Sequence, residues 1–198
     1  MRFNEWVLGI FIFTVCIGVM LLILISSPQK AHADALPVTG IVLNEPLLDQ
    51  WIEALCEDRG IPPEIVFAII ERESGCDPSA VNEETGAAGL MQIIPGTWTA
   101  QTAAIWAEMG RDVYLDPLDP FDNVFVGVWL LTYLMEGRDI ELALDCYALG
   151  EGGAAERMLR LPDYTPCAWT REILKAAQEK IDERATREAY MEASLESK

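Results

Sequence analysis

The 198-residue sequence holds a single histidine, His32, and no Cys-x-x-Cys pair. His32 precedes the part of the chain with periodic hydrophobic patterning, so a domain folded downstream has no imidazole. That excludes Ser-His-Asp and Cys-His nucleophilic sites and a histidine-ligated zinc. It leaves carboxylates as the proton-transfer groups near neutral pH. Positive charge is also scarce: 14 Lys and Arg face 32 Asp and Glu, for a formal net charge of -18. So acidic a surface repels nucleic acid and anionic lipid at moderate salt, and neither is expected as a ligand. No internal repeat is present. Asp116, Asp119 and Asp122 recur every third residue but lack the central Gly and final Glu of a calcium loop. They read as turn and helix-start residues beside prolines, so neither metal nor cofactor is expected.

Charge is missing altogether from residues 7–25 (VLGIFIFTVCIGVMLLILI). As a helix rising about 1.5 Å per residue, this stretch would just cross a bilayer core. It exceeds the apolar region of a signal peptide, usually about 7 to 15 residues, yet Ala31-His32-Ala33 fits a signal-peptidase site. A retained inner-membrane anchor and a cleaved signal therefore both stand. Either places the domain outside the cytoplasm, in the cell envelope or secreted, and the anchor reading makes the membrane a partner through this helix. Residues 1–25 are thus a targeting or transmembrane segment, 26–43 a linker, 44–181 one domain and 182–198 a charged tail. Cys16 falls in the apolar stretch. Cys56, Cys76, Cys146 and Cys167 form an even set in an exported domain, which predicts two disulfides among three connectivities. Adjacency of the predicted helices favours Cys56–Cys76 and Cys146–Cys167.

Helical periodicity begins after Asn44, a good N-cap, with Leu47, Leu48, Trp51, Ile52 and Leu55, and stops at Gly60. Pro62-Pro63 opens a second helix over about 64–74, apolar on every side from Ile65 to Ile70 and so expected at the domain centre. A Gly-, Pro- and Asn-rich loop follows over 75–89, with room for a short hairpin. Further helices are predicted from Pro95 to about Met109, over 123–135, over 140–149 and over 169–181. The expected architecture is a mostly α-helical globule around a buried central helix.

Glu73 lies at the end of that apolar helix, where desolvation and the negative end of the helix dipole both favour the protonated carboxyl. A carboxylic acid that keeps its proton near neutrality is what protonation of a glycosidic oxygen requires. Many helix-terminal glutamates simply face water, and position alone does not separate the two readings. The flanking text does. Glu73-Ser74-Gly75 through Asn82, after Ile61-Pro62-Pro63-Glu64, resembles the lytic transglycosylase segment in which an apolar helix ends in Glu-Ser-Gly. Gly86-Ala87-Ala88-Gly89-Leu90-Met91-Gln92 with Pro95 is similar to that family's second motif. Asp119-Pro120, Asn123 and Gly127 resemble the third, and Tyr147 and Gly150 match two positions of the fourth, Tyr-Asn-x-Gly.

The resemblance to lytic transglycosylases of the soluble, SLT-domain kind and to goose-type lysozymes implies a lysozyme-like fold with Glu73 as catalytic acid and base. It implies that Ser74 and Tyr147 position the acid or its substrate, and that Gly89, Met91 and Gln92 line a saccharide groove. The implied partner is the peptidoglycan glycan strand, with cell-envelope machinery as a further one. One departure stands out: Ala148 replaces the usual asparagine and offers no side-chain hydrogen bond. Three functions follow from these residues. The first is transglycosylation to a 1,6-anhydro sugar. The second is hydrolysis, with a second carboxylate such as Glu83 or Glu84, and the third is wall binding by an inactive groove.

Overall fold

The computed structural model describes residues 45–112, 114–161 and 163–196. All belong to one compact unit, Leu43–Lys198. The apolar stretch 7–25, the linker 26–43 and the cap expected at Asn44 lie outside the described residues. Among the described residues no helix is long and apolar enough to cross a membrane.

Among the described residues six helices follow in order: α1 Glu45–Arg59, α2 Pro63–Ser74, α3 Pro95–Met109, α4 Pro120–Leu134, α5 Ile140–Arg160 and α6 Ala168–Glu196. Prolines start α2, α3 and α4, where a missing N–H costs nothing. Asp119 caps α4, its carboxylate accepting the Phe121 and Asp122 N–H groups at 3.0 Å, so this helix begins before the Asn123 start expected from periodicity. Asp139 caps α5 through the Leu142 N–H at 2.9 Å. α5 does not end at Leu149; it kinks at Gly150 and resumes to Arg160.

α6 likewise continues beyond Ile181. Its first half buries Ile173 and Ala177. The following turns are tied down by ion pairs from Lys180 to Glu71 and from Arg184 to Glu53 and Glu64. These hold part of the expected charged tail as a regular helix.

The core is shared between two helices rather than organised around one. α2 contributes Ile65, Val66, Ala68, Ile69 and Ile70 and packs along α1 and most extensively along α6. α4 contributes Val124, Val126, Val128 and Leu131, all fully buried, and is the helix on which α1, α3 and α5 converge. Among the described residues β structure is limited to the isolated bridges Val81–Ala88 and Ala88–Ile93.

The expected disulfides are not formed. Cys56 is sealed in the core while Cys76 is exposed after α2, so the two thiols occupy different environments. Cys167 Sγ instead lies 3.3 Å from the Thr170 hydroxyl at the start of α6, as a cap rather than a bridge to Cys146.

Candidate active site

The loop after α2 is built from its own polar side chains. The Asp77 carboxylate accepts from the Ser79 N–H and hydroxyl at 2.9 and 2.7 Å. Asn82 Oδ1 accepts from the Glu84 and Thr85 N–H groups at 3.0 and 3.1 Å. Glu83 and Glu84 sit on the exposed tip of this loop. The chain then returns to Gln92, whose backbone is left-handed at φ 47°. A side chain disfavours that conformation, but the Gln92 amide donates to the Ala80 and Gly89 carbonyls, both at 3.0 Å, and fixes the loop around it.

Met91 joins three separate parts of the chain. Its N–H donates to Asn123 Oδ1 at 2.8 Å, and its carbonyl accepts the Tyr147 hydroxyl at 2.6 Å. Its side chain lies against Gly127, where a Cβ would collide with the thioether. Asn123, fully buried on α4, also donates to the Ala88 and Pro117 carbonyls at 2.9 Å. A side chain at Gly89, itself left-handed, would strike Asn123 and the Pro117 carbonyl. Asn123 therefore clamps the loop to α4 and is not a helix cap.

Glu73 opens into a groove of about 1020 Å³ walled by α3, α4 and α5. The carboxylate is half-buried, and its Oε1 accepts the Trp169 indole N–H at 2.7 Å. Trp169 stacks on Tyr147, with ring centroids 5.7 Å apart and planes 13° from parallel. Burial, and after it the Glu73 carboxylate, hold the Tyr147 phenol well above its ordinary range, so it stays neutral. Further along, the groove presents Trp129 and Tyr133 beside Gln101 and Thr97. Its other lining carboxylate among the described residues is Glu151, which pairs with Arg138 at 2.6 Å. A cleft with aromatic faces, neutral polar groups and one oriented carboxyl suits a polymer of sugar rings.

Residues 50–160, more than half of the chain, match the transglycosylase SLT domain family. The chain belongs to that family. It is 32% identical over 134 residues to membrane-bound lytic murein transglycosylase F 1 of Alkalilimnicola ehrlichii, covering 63% of this chain and 25% of that one. It is 33% identical over 96 residues to the soluble lytic murein transglycosylase of Escherichia coli K12, covering 48% and 15%. The chain thus spans a quarter or less of the length of these relatives. Among solved structures, the 70 kDa soluble lytic transglycosylase of Escherichia coli superposes with a TM-score of 0.47 at 23% identity, over 65% of this chain and 19% of that one. An inactive mutant of the Pseudomonas aeruginosa transglycosylase Slt gives 0.48 at 23% identity, over 64% and 21%.

Of the residues to which the SLT resemblance pointed, Glu73, Gln92 and Tyr147 line the groove. Ser74 does not join them: its hydroxyl bonds back to the Ile70 carbonyl at 2.9 Å. Gly89 and Met91 are buried beneath the groove and shape it through the backbone. Tyr147 contributes its ring, because its hydroxyl is spent on Met91. Ala148 stands exposed on the lining, where the motif's asparagine would be. Trp169 is the residue that sequence reasoning missed. It follows an irregular loop and falls outside the four motifs, and its one signal is an aromatic at the start of a helix.

Proposed function

We propose that this domain is a peptidoglycan lytic transglycosylase in which Glu73 acts in turn as acid and base. The observation that carries the reading is the single oriented carboxyl. Trp169 occupies Glu73 Oε1, leaving Oε2 to hold the transferable proton, and the groove's other acid, Glu151, is engaged by Arg138. Glu73 gives its proton to the glycosidic oxygen as the bond to the muramic acid C1 breaks. The substrate's acetamido group supports the positive charge at C1. The carboxylate then removes the proton of the same sugar's 6-hydroxyl as that oxygen bonds to C1, closing a 1,6-anhydro ring without consuming water. Holding both reacting atoms in one sugar supplies the high effective concentration that a loosely bound water lacks. Hydrolysis by an inverting route would need a second, unpaired carboxylate across the cleft.

Digestion of purified sacculi followed by mass spectrometry tests the reading. Muropeptides one water lighter than hydrolytic products are expected. Glu73→Gln, which keeps size and removes the proton, is expected to lower their yield at least about 100-fold. Products with reducing ends only would establish hydrolysis instead, and no release by the wild-type chain would favour a wall-binding role.

The substrate lies in the cell envelope, and the uncharged stretch 7–25 supplies the route there. We place the domain on the extracytoplasmic side, anchored by that stretch or released after its cleavage. A reporter active only after export, fused after Lys198, is expected to give signal that deletion of 7–25 abolishes. Activity confined to a cytoplasmic reporter would refute the placement.

A further inference from the structure

Asp145 is fully buried and lines no part of the groove. It sits on α5, two residues before Tyr147. Its Oδ1 accepts the Cys167 N–H at 3.0 Å and the Thr170 hydroxyl. Its Oδ2 lies 3.3 Å from the same N–H and 3.6 Å from Arg157 Nε. Arg157 donates in turn to the Thr165 and Pro166 carbonyls at 3.0 and 3.4 Å. A buried carboxylate without partners is strongly disfavoured, so each of these donors helps to keep it there.

The consequence concerns the start of α6. The first N–H groups of a helix have no partner within it and carry partial positive charge, and a nearby local side chain usually satisfies them. Here part of that role falls to a carboxylate on another helix. The first turn of α6 is therefore registered against α5 rather than left to the irregular segment before it. Trp169 stands between Cys167 and Thr170, the two residues that Asp145 grips. Its ring lies on Tyr147 of the same α5, and its N–H meets Glu73. Hydrogen bonds weaken steeply with misalignment, so a small rotation of this turn would release the Glu73 carboxylate while leaving α2 and the core in place. Burial by itself would raise the Asp145 carboxyl, but the hydrogen bonds from Thr170 and Cys167 outweigh it and hold the group below the usual aspartate range. It is thus charged near neutral pH, where it attracts the helix terminus most strongly.

We infer that Asp145 is a positioning residue: through Cys167 and Thr170 it sets Trp169 so that the indole N–H holds Glu73 Oε1. Only its consequence for rate rests on the proposed role of Glu73; the placement of the indole can be measured without turnover.

The test uses the full chain, 15N-labelled at the tryptophan indoles, with Trp169→Phe assigning the Trp169 resonance among six. In Asp145→Asn that resonance is expected to move toward the position of an indole donating to water and to exchange faster. A soluble glycan-strand fragment supplies the second readout. Asp145→Asn should lower kcat about tenfold with KM within about twofold, since the lost interaction acts on the reacting group rather than on binding. Added to Trp169→Phe, it should lower kcat no further, because both changes interrupt one path. Thr170→Val, which removes the hydroxyl's bond to Asp145 and its contact with Cys167 Sγ but no charge, should give smaller changes of the same kind, and it serves if Asp145→Asn does not fold. An unmoved indole resonance in a folded variant overturns the inference, as does a double variant whose kcat losses multiply. A wild-type chain without glycan cleavage would overturn the proposed function instead, leaving the resonance to decide the placement.

Discussion

Replacing Asn123 with alanine should be among the most damaging single changes in the domain, and its cost can be built from its contacts. The side chain makes three hydrogen bonds of 2.8 to 2.9 Å from a fully buried position. Truncation strands the Met91 N–H, a buried donor whose loss of partner costs about 1–3 kcal/mol. It also strips the Ala88 and Pro117 carbonyls of an amide, at about 1 kcal/mol each, since a carbonyl tolerates under-satisfaction better than an N–H does. The sum is about 3–5 kcal/mol, a large share of the roughly 5–15 kcal/mol that keeps a typical domain folded. Urea unfolding followed by far-ultraviolet circular dichroism should show the midpoint falling with little change in slope. Asn123→Asp keeps the shape and still accepts from Met91, but it turns a buried carboxylate toward two carbonyl oxygens. It should cost at least as much at pH 7 and recover in acid, when a protonated carboxyl can donate to one of them. A loss under about 1 kcal/mol for Asn123→Ala would refute the clamp.

Two further predictions concern titrating groups. Asp145 binds its proton less readily folded than unfolded, so as pH falls below about 4 the unfolded chain protonates first. The stability that Asp145 contributes above that pH is lost as pH drops through its lowered value. Melting curves from neutral into acid should therefore fall less steeply for Asp145→Asn, and identical slopes would contradict the assignment. Burial, and then the Glu64 carboxylate, pushes the Cys56 thiol up to about 12. Iodoacetamide at about pH 8 should reach Cys56 only after denaturant is added, thiolate being the reactive form. Recovery of a Cys56–Cys76 bridge by non-reducing peptide mapping would overturn this.

The sequence by itself determined what depends on local patterns. Proline starts, glycine stops and 3.6-residue apolar spacing located six helices, with errors where the decision was tertiary. α5 resumes after Gly150, and α6 runs past Ile181 because Lys180 and Arg184 find acids on α1 and α2. The absence of histidine beyond His32 pointed to a carboxyl, and Glu73 at the end of an apolar helix was the candidate that the four motifs singled out.

What those motif residues do was decided only by folding. Met91, Asn123, Gly127 and Tyr147 are far apart in the chain, and nothing local separates a side chain that lines a cleft from one that meets another motif beneath it. The structure brings these four together, Met91, Asn123 and Gly127 beneath the groove and Tyr147 on its lining. The partner of Glu73 was beyond sequence reading for the same reason. Trp169 lies 96 residues away, and only the packing of α6 against α2, with its first turn held by Asp145, carries the indole to the acid.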